Sequence, residues 1–236
     1  MGILYIVSTP IGNLQDIGIR AVKVLIETEI IACEDTRKTG VLLKRAREYY
    51  SKFFSNENNF KKNRLISYYE QNEEKRIPEI ISLLKNGQNI ALVSDAGTPA
   101  ISDPGFKLIR EAIREGIGVE SIPGPSSVIS SLVVSGLPTD KFFFAGYPPK
   151  KPGHRKSLFI KLKKTKEEFK FTIILFEAPH KLLQTLMEIR EVFGDIELVL
   201  ARELTKVFEE IKRDKISGLI EHFKEKTPKG EFIILL

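Results

Sequence analysis

The chain predicts an α/β fold, and three features of its pattern carry that prediction. Short apolar, β-branched runs alternate with segments of helical periodicity through the first half, the signature of a parallel sheet. Four of those runs stop abruptly in polar, charged or Pro/Gly-punctuated loops, at residues 8–14, 34–38, 94–99 and 123–127. In a parallel sheet such loops leave from one edge, where open α/β sheets bind ligands. The second half repeats the strand-then-charged-loop device at residues 177–181 and 202–206.

Residues 3–8 read as the first strand and run into a loop with Pro10 and Gly12. Asp16 is placed to cap a helix carrying Ala21, Val22, Leu25 and Ile26. Residues 30–33 are a second strand, after which charge replaces apolar side chains within one step; a helix with Val41, Leu42 and Leu43 follows. Residues 44–64 are basic, polar and rich in Asn, with Tyr49, Tyr50, Phe53, Phe54 and Phe60 among them. That composition suits a long loop or an irregular helical excursion, whose aromatics either pack it down or grip single-stranded nucleic acid. A strand at 65–69 and a helix with Ile77, Ile80, Ile81 and Leu84 lead to the central unit of the pattern, residues 89–105.

There an apolar run at 90–93 gives way to Ser94-Asp95-Ala96-Gly97-Thr98-Pro99. Asp103 and Pro104 then read as N-cap and first turn of a helix with Phe106, Ile109 and Ile113 at helical spacing. After a strand at 119–122, Pro123-Gly124 suits the centre of a type II turn, with the glycine at positive φ. Ser126 and Ser127 open an apolar helix reaching about Gly136, whose free amides and hydroxyls can form a polar pocket.

The second half reads as a strand at 142–145, a break at Gly146-Tyr147-Pro148-Pro149, and a basic helix with Leu158, Leu162 and Phe169 on one face. A strong strand at 171–176, a helix with Leu182, Leu186, Ile189 and Phe193, and a strand at 197–201 follow. Residues 207–211 read as a neighbouring strand, 216–223 as a helix, and 232–236 as the last strand.

Composition removes several classes of function. The single cysteine, Cys33, forbids an internal disulfide and sits in an apolar run, so it reads as core and fits a reducing compartment. His154, His180 and His222 lack metal-ligand spacing, and no metal is expected. No apolar run is as long as a membrane span, and the immediate first strand leaves no room for a signal peptide. Neither a GxGxxG fingerprint nor a Walker A loop is present. The net charge of +6 is uneven: residues 141–170 hold ten Lys/Arg against Glu167 and Glu168, so the rest of the chain sums to −2. A localised basic stretch fits a polyanionic partner or a solvated helix face.

Seven fragments in order carry a resemblance that covers nearly the whole chain. They are Tyr5-Ile-Val-Ser-Thr-Pro-Ile-Gly-Asn-Leu14, Glu34-Asp-Thr-Arg37, Ser94-Asp-Ala-Gly-Thr-Pro99 with Asp103-Pro-Gly105, Pro123-Gly-Pro-Ser-Ser127, Glu177-Ala-Pro-His180, Ala201-Arg-Glu-Leu-Thr-Lys206 and Lys229-Gly-Glu231. Together they resemble the tetrapyrrole methylase superfamily, in its ribosomal RNA small-subunit methyltransferase I branch. The resemblance implies a two-domain α/β fold, with a parallel-sheet N-terminal domain (1–120), a mixed-sheet C-terminal domain (121–236) and the cofactor cleft between them. It implies S-adenosylmethionine as cofactor, and transfer of its methyl group to the 2′-oxygen of a cytidine in the decoding region of 16S rRNA in the small ribosomal subunit. It also implies a homodimer and a cytoplasmic setting.

By the same similarity, Pro10, Ser94, Asp95, Ala96, Gly97, Thr98, Ile101, Ser126, Ser127 and Glu177 are expected to bind the cofactor. The candidates for catalysis, as base or as stabiliser of a developing alkoxide, are Asp35, Arg37, Glu177 and Glu203. Lys150, Lys151, Arg155, Lys156, Lys163 and Lys164 are the expected RNA contacts. The chain departs from its relatives in carrying Tyr69 where they often have histidine, and in ending at Leu236 where many continue into a helical segment. Two other readings stay open at this point: a methyltransferase of the same fold acting on a tetrapyrrole or a protein side chain, and a non-catalytic RNA-binding protein.

Overall fold

The computed structural model describes residues 1–54, 60 and 62–236. They divide into two compact units, Met1–Ser126 and Ser127–Leu236. The first is built on β1 (Ile3–Val7), β2 (Ile30–Cys33), β3 (Arg64–Ser67), β4 (Ile90–Val93) and β5 (Gly118–Ile122). These form one sheet in the order β3-β2-β4-β1-β5, and every neighbouring pair is parallel. All four residues of β2 and of β4 are buried, as expected for strands covered on both faces.

Four helices supply that cover. Against one face lie Ala21, Val22 and Leu25 of α1 (Ile19–Glu27) and Leu42, Leu43 and Ala46 of α2 (Thr36–Phe53). Against the other lie Ile80, Ile81 and Leu84 of α3 (Glu73–Lys85) and Leu108 and Ala112 of α4 (Phe106–Arg114). The loops after β1 and β2 therefore turn toward one face, and the loop after β4, the strand between them, turns toward the other. Strand order reverses on both sides of β4, which opens a crevice on each side of its carboxyl end.

The second unit holds α5 (Ser127–Ser135), β6 (Phe142–Gly146), α6 (Pro152–Phe169), β7 (Thr172–Glu177), α7 (Leu182–Phe193), β8 (Glu197–Arg202), β9 (Glu210–Lys215), α8 (Ile216–Glu225) and β10 (Phe232–Leu235). Its sheet runs β6-β7-β10-β8-β9; only β6 and β7 are parallel, so the sheet is mixed. Phe159 and Leu162 of α6, Leu186 and Ile189 of α7, and Leu219 and Phe223 of α8 close one core with Leu175, Leu200 and Ile234 of the sheet. Helix α5 packs on β10 and β8.

Several local expectations are corrected. Asp16 ends a 3-10 turn, Leu14–Asp16, and α1 is capped by Gly18 without a side-chain hydrogen bond. Helix α4 is capped by Gly105 at φ 142°, not by Asp103. Its buried face is set by Leu108 and Ala112, which leaves Phe106 and Ile113, well over 100° around the helix, exposed. Phe169 is likewise exposed, and Phe159 takes the buried place beside Leu162.

The excursion after residue 44 is a regular continuation of α2 to Phe53, and its aromatics pack together: Tyr50 lies 5.1 Å from Phe54 and 5.7 Å from Phe60. The rest of that expectation, residues 55–59 and 61, lies outside the described residues. Gly124 does not adopt positive φ; its place is a crowded one, where a Cβ would stand 3.0 Å from Ser8 Cβ. The strand expected at 207–211 starts at Glu210, because residues 203–209 form a loop with Glu203 and Thr205 in the left-handed region.

Candidate active site

The loops after β1, β2 and β4 leave the same edge of the parallel sheet and are stitched together there. Thr9 and Gly97 exchange both backbone hydrogen bonds, Thr9 N to Gly97 O at 2.8 Å and Gly97 N to Thr9 O at 3.1 Å. The hydroxyls of Ser8 and Thr98 lie 2.9 Å apart, and Thr9 Oγ1 donates to Ser94 O at 3.3 Å. The loop after β4 is thus joined to the loop after β1.

On its other side it is joined to the loop after β2. Asp95 Oδ1 accepts the backbone N–H of Asp35 at 3.0 Å, Asp95 Oδ2 accepts Lys38 Nζ at 2.7 Å, and Asp95 N donates to Glu34 Oε2 at 3.3 Å. Backbone strain concentrates in this same segment. Gly97, Ala100, Ser102 and Gly105 all have positive φ, and two of them carry side chains that disfavour it. Strain held in a loop at a strand's carboxyl end marks a segment whose shape matters.

Pro10, Ser94, Asp95, Ala96, Gly97, Thr98 and Ile101 all lie on these two loops. Pro10, Ser94 and Gly97 are buried, Asp95 and Thr98 half-buried, and Ala96 and Ile101 exposed. Ser126 closes the first unit and Ser127 starts α5 in the second. Ser8, Thr9 and Lys38 belong to the same constellation and were not singled out from sequence. The signals for them were the steps from apolar to polar at Ser8 and from apolar to charged at Glu34.

Asp35 caps α2, its Oδ1 accepting Arg37 N at 2.8 Å, and the Arg37 guanidinium grips the same carboxylate through Nε at 3.1 Å and Nη2 at 2.8 Å. The Arg37 side chain and backbone N–H hold the Asp35 carboxyl far below the usual carboxylate range. The pair is a poor proton acceptor. The Arg37 side chain is nevertheless 90% exposed, so its remaining edge faces solvent in a fixed orientation.

Glu177 and Glu203 belong to the second unit. The register Glu177–Phe232–Arg202 across β7, β10 and β8 sets the ends of those strands side by side. Glu177 is buried, with Oε1 accepting Ala178 N at 2.8 Å and Oε2 accepting Thr185 Oγ1 at 2.5 Å. It braces the turn from β7 into α7. Glu203 Oε1 accepts Glu231 N at 2.9 Å and Lys206 Nζ at 3.1 Å. Desolvation pushes the Glu203 carboxyl up, but the Glu231 amide and the Lys206 ammonium together hold it below its ordinary value.

The basic residues expected on RNA divide into two sets. Lys150, Lys151 and Lys164 are exposed and make no side-chain ion pair among the described residues. Lys156 pairs with Glu191, and Lys163 donates to Val192 O at 3.0 Å. Arg155 does not fit the expectation: it is 2% exposed, donates to both Glu188 oxygens at 2.5 Å, and donates to Pro149 O at 3.3 Å. A buried, doubly engaged guanidinium is a structural clamp rather than a phosphate ligand. Among the described residues no group of three or more His, Cys, Asp and Glu is arranged to hold a metal, and no helix is long and apolar enough to cross a membrane.

The family model for tetrapyrrole (corrin/porphyrin) methylases matches residues 3–220. The chain is 47% identical over 236 residues to the ribosomal RNA small subunit methyltransferase I of Thermotoga maritima, covering 100% of this chain and 98% of that one. It is 45% identical to the protein of the same name from Hydrogenobaculum, over 99% of this chain and 94% of that one. Among solved structures it resembles a diphthine synthase at TM-score 0.69 and 17% identity, covering 100% of this chain and 90% of that one. A uroporphyrin-III C-methyltransferase from Thermus thermophilus, complexed with S-adenosylhomocysteine, matches at TM-score 0.65 and 16% identity, over 99% and 97% of the two chains. These structural likenesses show the fold. The full-length match to the family model and to relatives above 40% identity shows more: the chain belongs to the tetrapyrrole methylases, in the group of ribosomal RNA small subunit methyltransferase I proteins.

Proposed function

We propose that this protein transfers a methyl group from S-adenosylmethionine to the 2′-oxygen of a cytidine in the decoding region of 16S rRNA, working on the small ribosomal subunit as a cytoplasmic homodimer. The observation that carries the reading is the 47% identity, over the whole of this chain, with the Thermotoga ribosomal RNA small subunit methyltransferase I.

The residues at the edge of the first sheet suit that cofactor. Half-buried Thr98 supplies a hydroxyl backed by buried Ser8, the exposed Ala96 lies beside it, and half-exposed Ile101 offers an apolar contact for a purine. The close approach of Gly124 to Ser8 fixes the wall formed by the loops after β1 and β5. The cofactor, when bound, supplies an electrophilic methyl group. The chain's task is to bind, orient and exclude water, and orientation alone is worth several kcal/mol.

The candidate carboxylates favour that division of labour. Asp35 is held ionised by Arg37 and Glu203 by the Glu231 amide and Lys206, while both Glu177 oxygens are taken up by the Ala178 amide and the Thr185 hydroxyl. Asp35 positions Arg37, whose exposed fork suits an RNA phosphate or a developing alkoxide. Lys150, Lys151 and Lys164 add phosphate contacts outside the site. Calorimetric titration with S-adenosylmethionine tests the first half of this reading: saturable binding is expected, and its absence would make the protein a non-catalytic relative.

A further inference from the structure

Among the described large apolar side chains other than Met1, Val207 and Phe208 stand out as the most exposed, at 93% and 73%. They sit at the tip of the loop between β8 and β9, and this loop is not slack. Glu203 and Thr205 hold left-handed backbone without being glycine. Lys206 bridges Glu203 at 3.1 Å and Glu231 at 2.8 Å, and Thr205 N donates to Glu209 Oε2 at 2.5 Å. Strained backbone and ion pairs thus fix a shape whose result is to hold one aromatic ring and one valine out in water. The loop leaves β8 at Arg202, on the sheet edge it shares with Glu177.

We propose that Phe208, with Val207 beside it, is a stacking platform for an unstacked nucleobase of the RNA substrate. The inference rests on the RNA-directed reading above and gives that reading a base contact. An exposed ring on a rigid support is what base stacking uses. A protein partner fits less well. The two side chains offer roughly 200–300 Å² of apolar surface, against the ~800 Å² per partner of a stable interface. Their surroundings are ionic rather than apolar, and the nearby acids are engaged within the chain: Glu203 and Glu231 by Lys206, Glu210 by Arg202. A planar base with polar edges suits an aromatic face ringed by such groups.

The chain contains no tryptophan, so Phe208→Trp places a single tryptophan at the platform, excited apart from the six tyrosines at the red edge of the absorption band. A short single-stranded oligocytidylate is titrated into that variant, and binding is followed in parallel by anisotropy of the labelled oligonucleotide. Saturable quenching with the same midpoint as the anisotropy is expected. Phe208→Ala and Phe208→Leu are both expected to weaken binding about tenfold, since stacking needs the ring and not merely apolar area. Absence of saturable quenching, or wild-type affinity in the Leu variant, overturns the proposal. Emission that changes with protein concentration alone assigns the pair to a second copy of the chain and also overturns it. Methyl transfer by the unmodified protein is measured separately: transfer without quenching sinks only the platform, and quenching without transfer sinks only the methyltransferase reading.

Discussion

Asp95 Oδ1 accepts the backbone N–H of Asp35 at 3.0 Å, so the carboxyl end of β4 holds the first turn of α2. The same carboxylate takes Lys38 Nζ on its other oxygen. Asp95→Asn keeps an acceptor for the Asp35 amide and loses the ammonium contact, whereas Asp95→Ala loses both. Urea denaturation is expected to show a loss of about 1–2 kcal/mol for the alanine variant and less than half of that for asparagine. Equal losses would mean that the Asp35 amide contact contributes nothing.

Arg37→Lys retains the charge and loses the two-pronged grip on Asp35. The expected outcome is a fall of about tenfold in turnover on ribosomal subunits, with cofactor affinity unchanged. Steady-state kinetics and calorimetry on one preparation check this. A matching loss of cofactor affinity would move Arg37 from the RNA to the cofactor.

The pH dependence follows from three carboxylates with lowered pKa: Asp35, held by Arg37; Glu188, held by Arg155; and Glu203, held by the Glu231 amide and Lys206 against desolvation. A depressed folded-state pKa stabilises the fold above the unfolded value, near 4, and that contribution disappears as pH falls through the folded value. Thermal stability should therefore be flat with respect to these groups from pH 6 to 8 and drop below about pH 4.5. A drop already complete by pH 6 would contradict the pairings.

Arg155 and Lys150 make opposite predictions although they stand five residues apart. Arg155→Met strands Glu188, which is partly exposed, and should cost about 2–4 kcal/mol; adding Glu188→Leu should restore part of the loss. Lys150→Ala with Lys151→Ala should leave stability unchanged. That pair should instead lower the slope of log Kd against log salt for single-stranded RNA by about 1.4, near 0.7 per phosphate contact. A salt slope that responds to Arg155 but not to the lysines would reverse the assignment.

Gly230 has φ +93°, and a Cβ there would stand 2.6 Å from the Glu203 carboxyl. Gly230→Ala is expected to destabilise by about 1–3 kcal/mol and to displace Glu203 from Lys206. Chemical denaturation reads the first effect, and an upward shift of the Glu203 pKa by NMR the second.

The strand framework was legible because buried parallel strands are short apolar runs with sharp ends; β2 and β4 begin and end where the hydrophobicity does. The convergence of loops at one edge followed from parallel pairing. What the sequence did not reveal were facts of rotation and pairing. Phe106 and Ile113 keep helical spacing, yet Leu108 and Ala112 claim the buried face. Arg155 reads as one more cation in a basic helix, and only its neighbour across α7 makes it internal. Positive φ at Ala100, Ser102, Glu203 and Thr205 has no compositional mark, because these are not the residues that favour it. The carboxylates of Glu177 and Glu203 look catalytic as strand-end acids, yet each takes one donor from further along the chain, 8 positions on at Thr185 and 28 positions on at Glu231.

Labelled methyl transfer from S-adenosylmethionine to isolated small ribosomal subunits lacking the modification, followed by digestion to nucleosides, decides whether the protein is a ribose methyltransferase. Label is expected in 2′-O-methylcytidine, at a position in the decoding region. Label in a base-methylated nucleoside, or none while the cofactor binds, would contradict it.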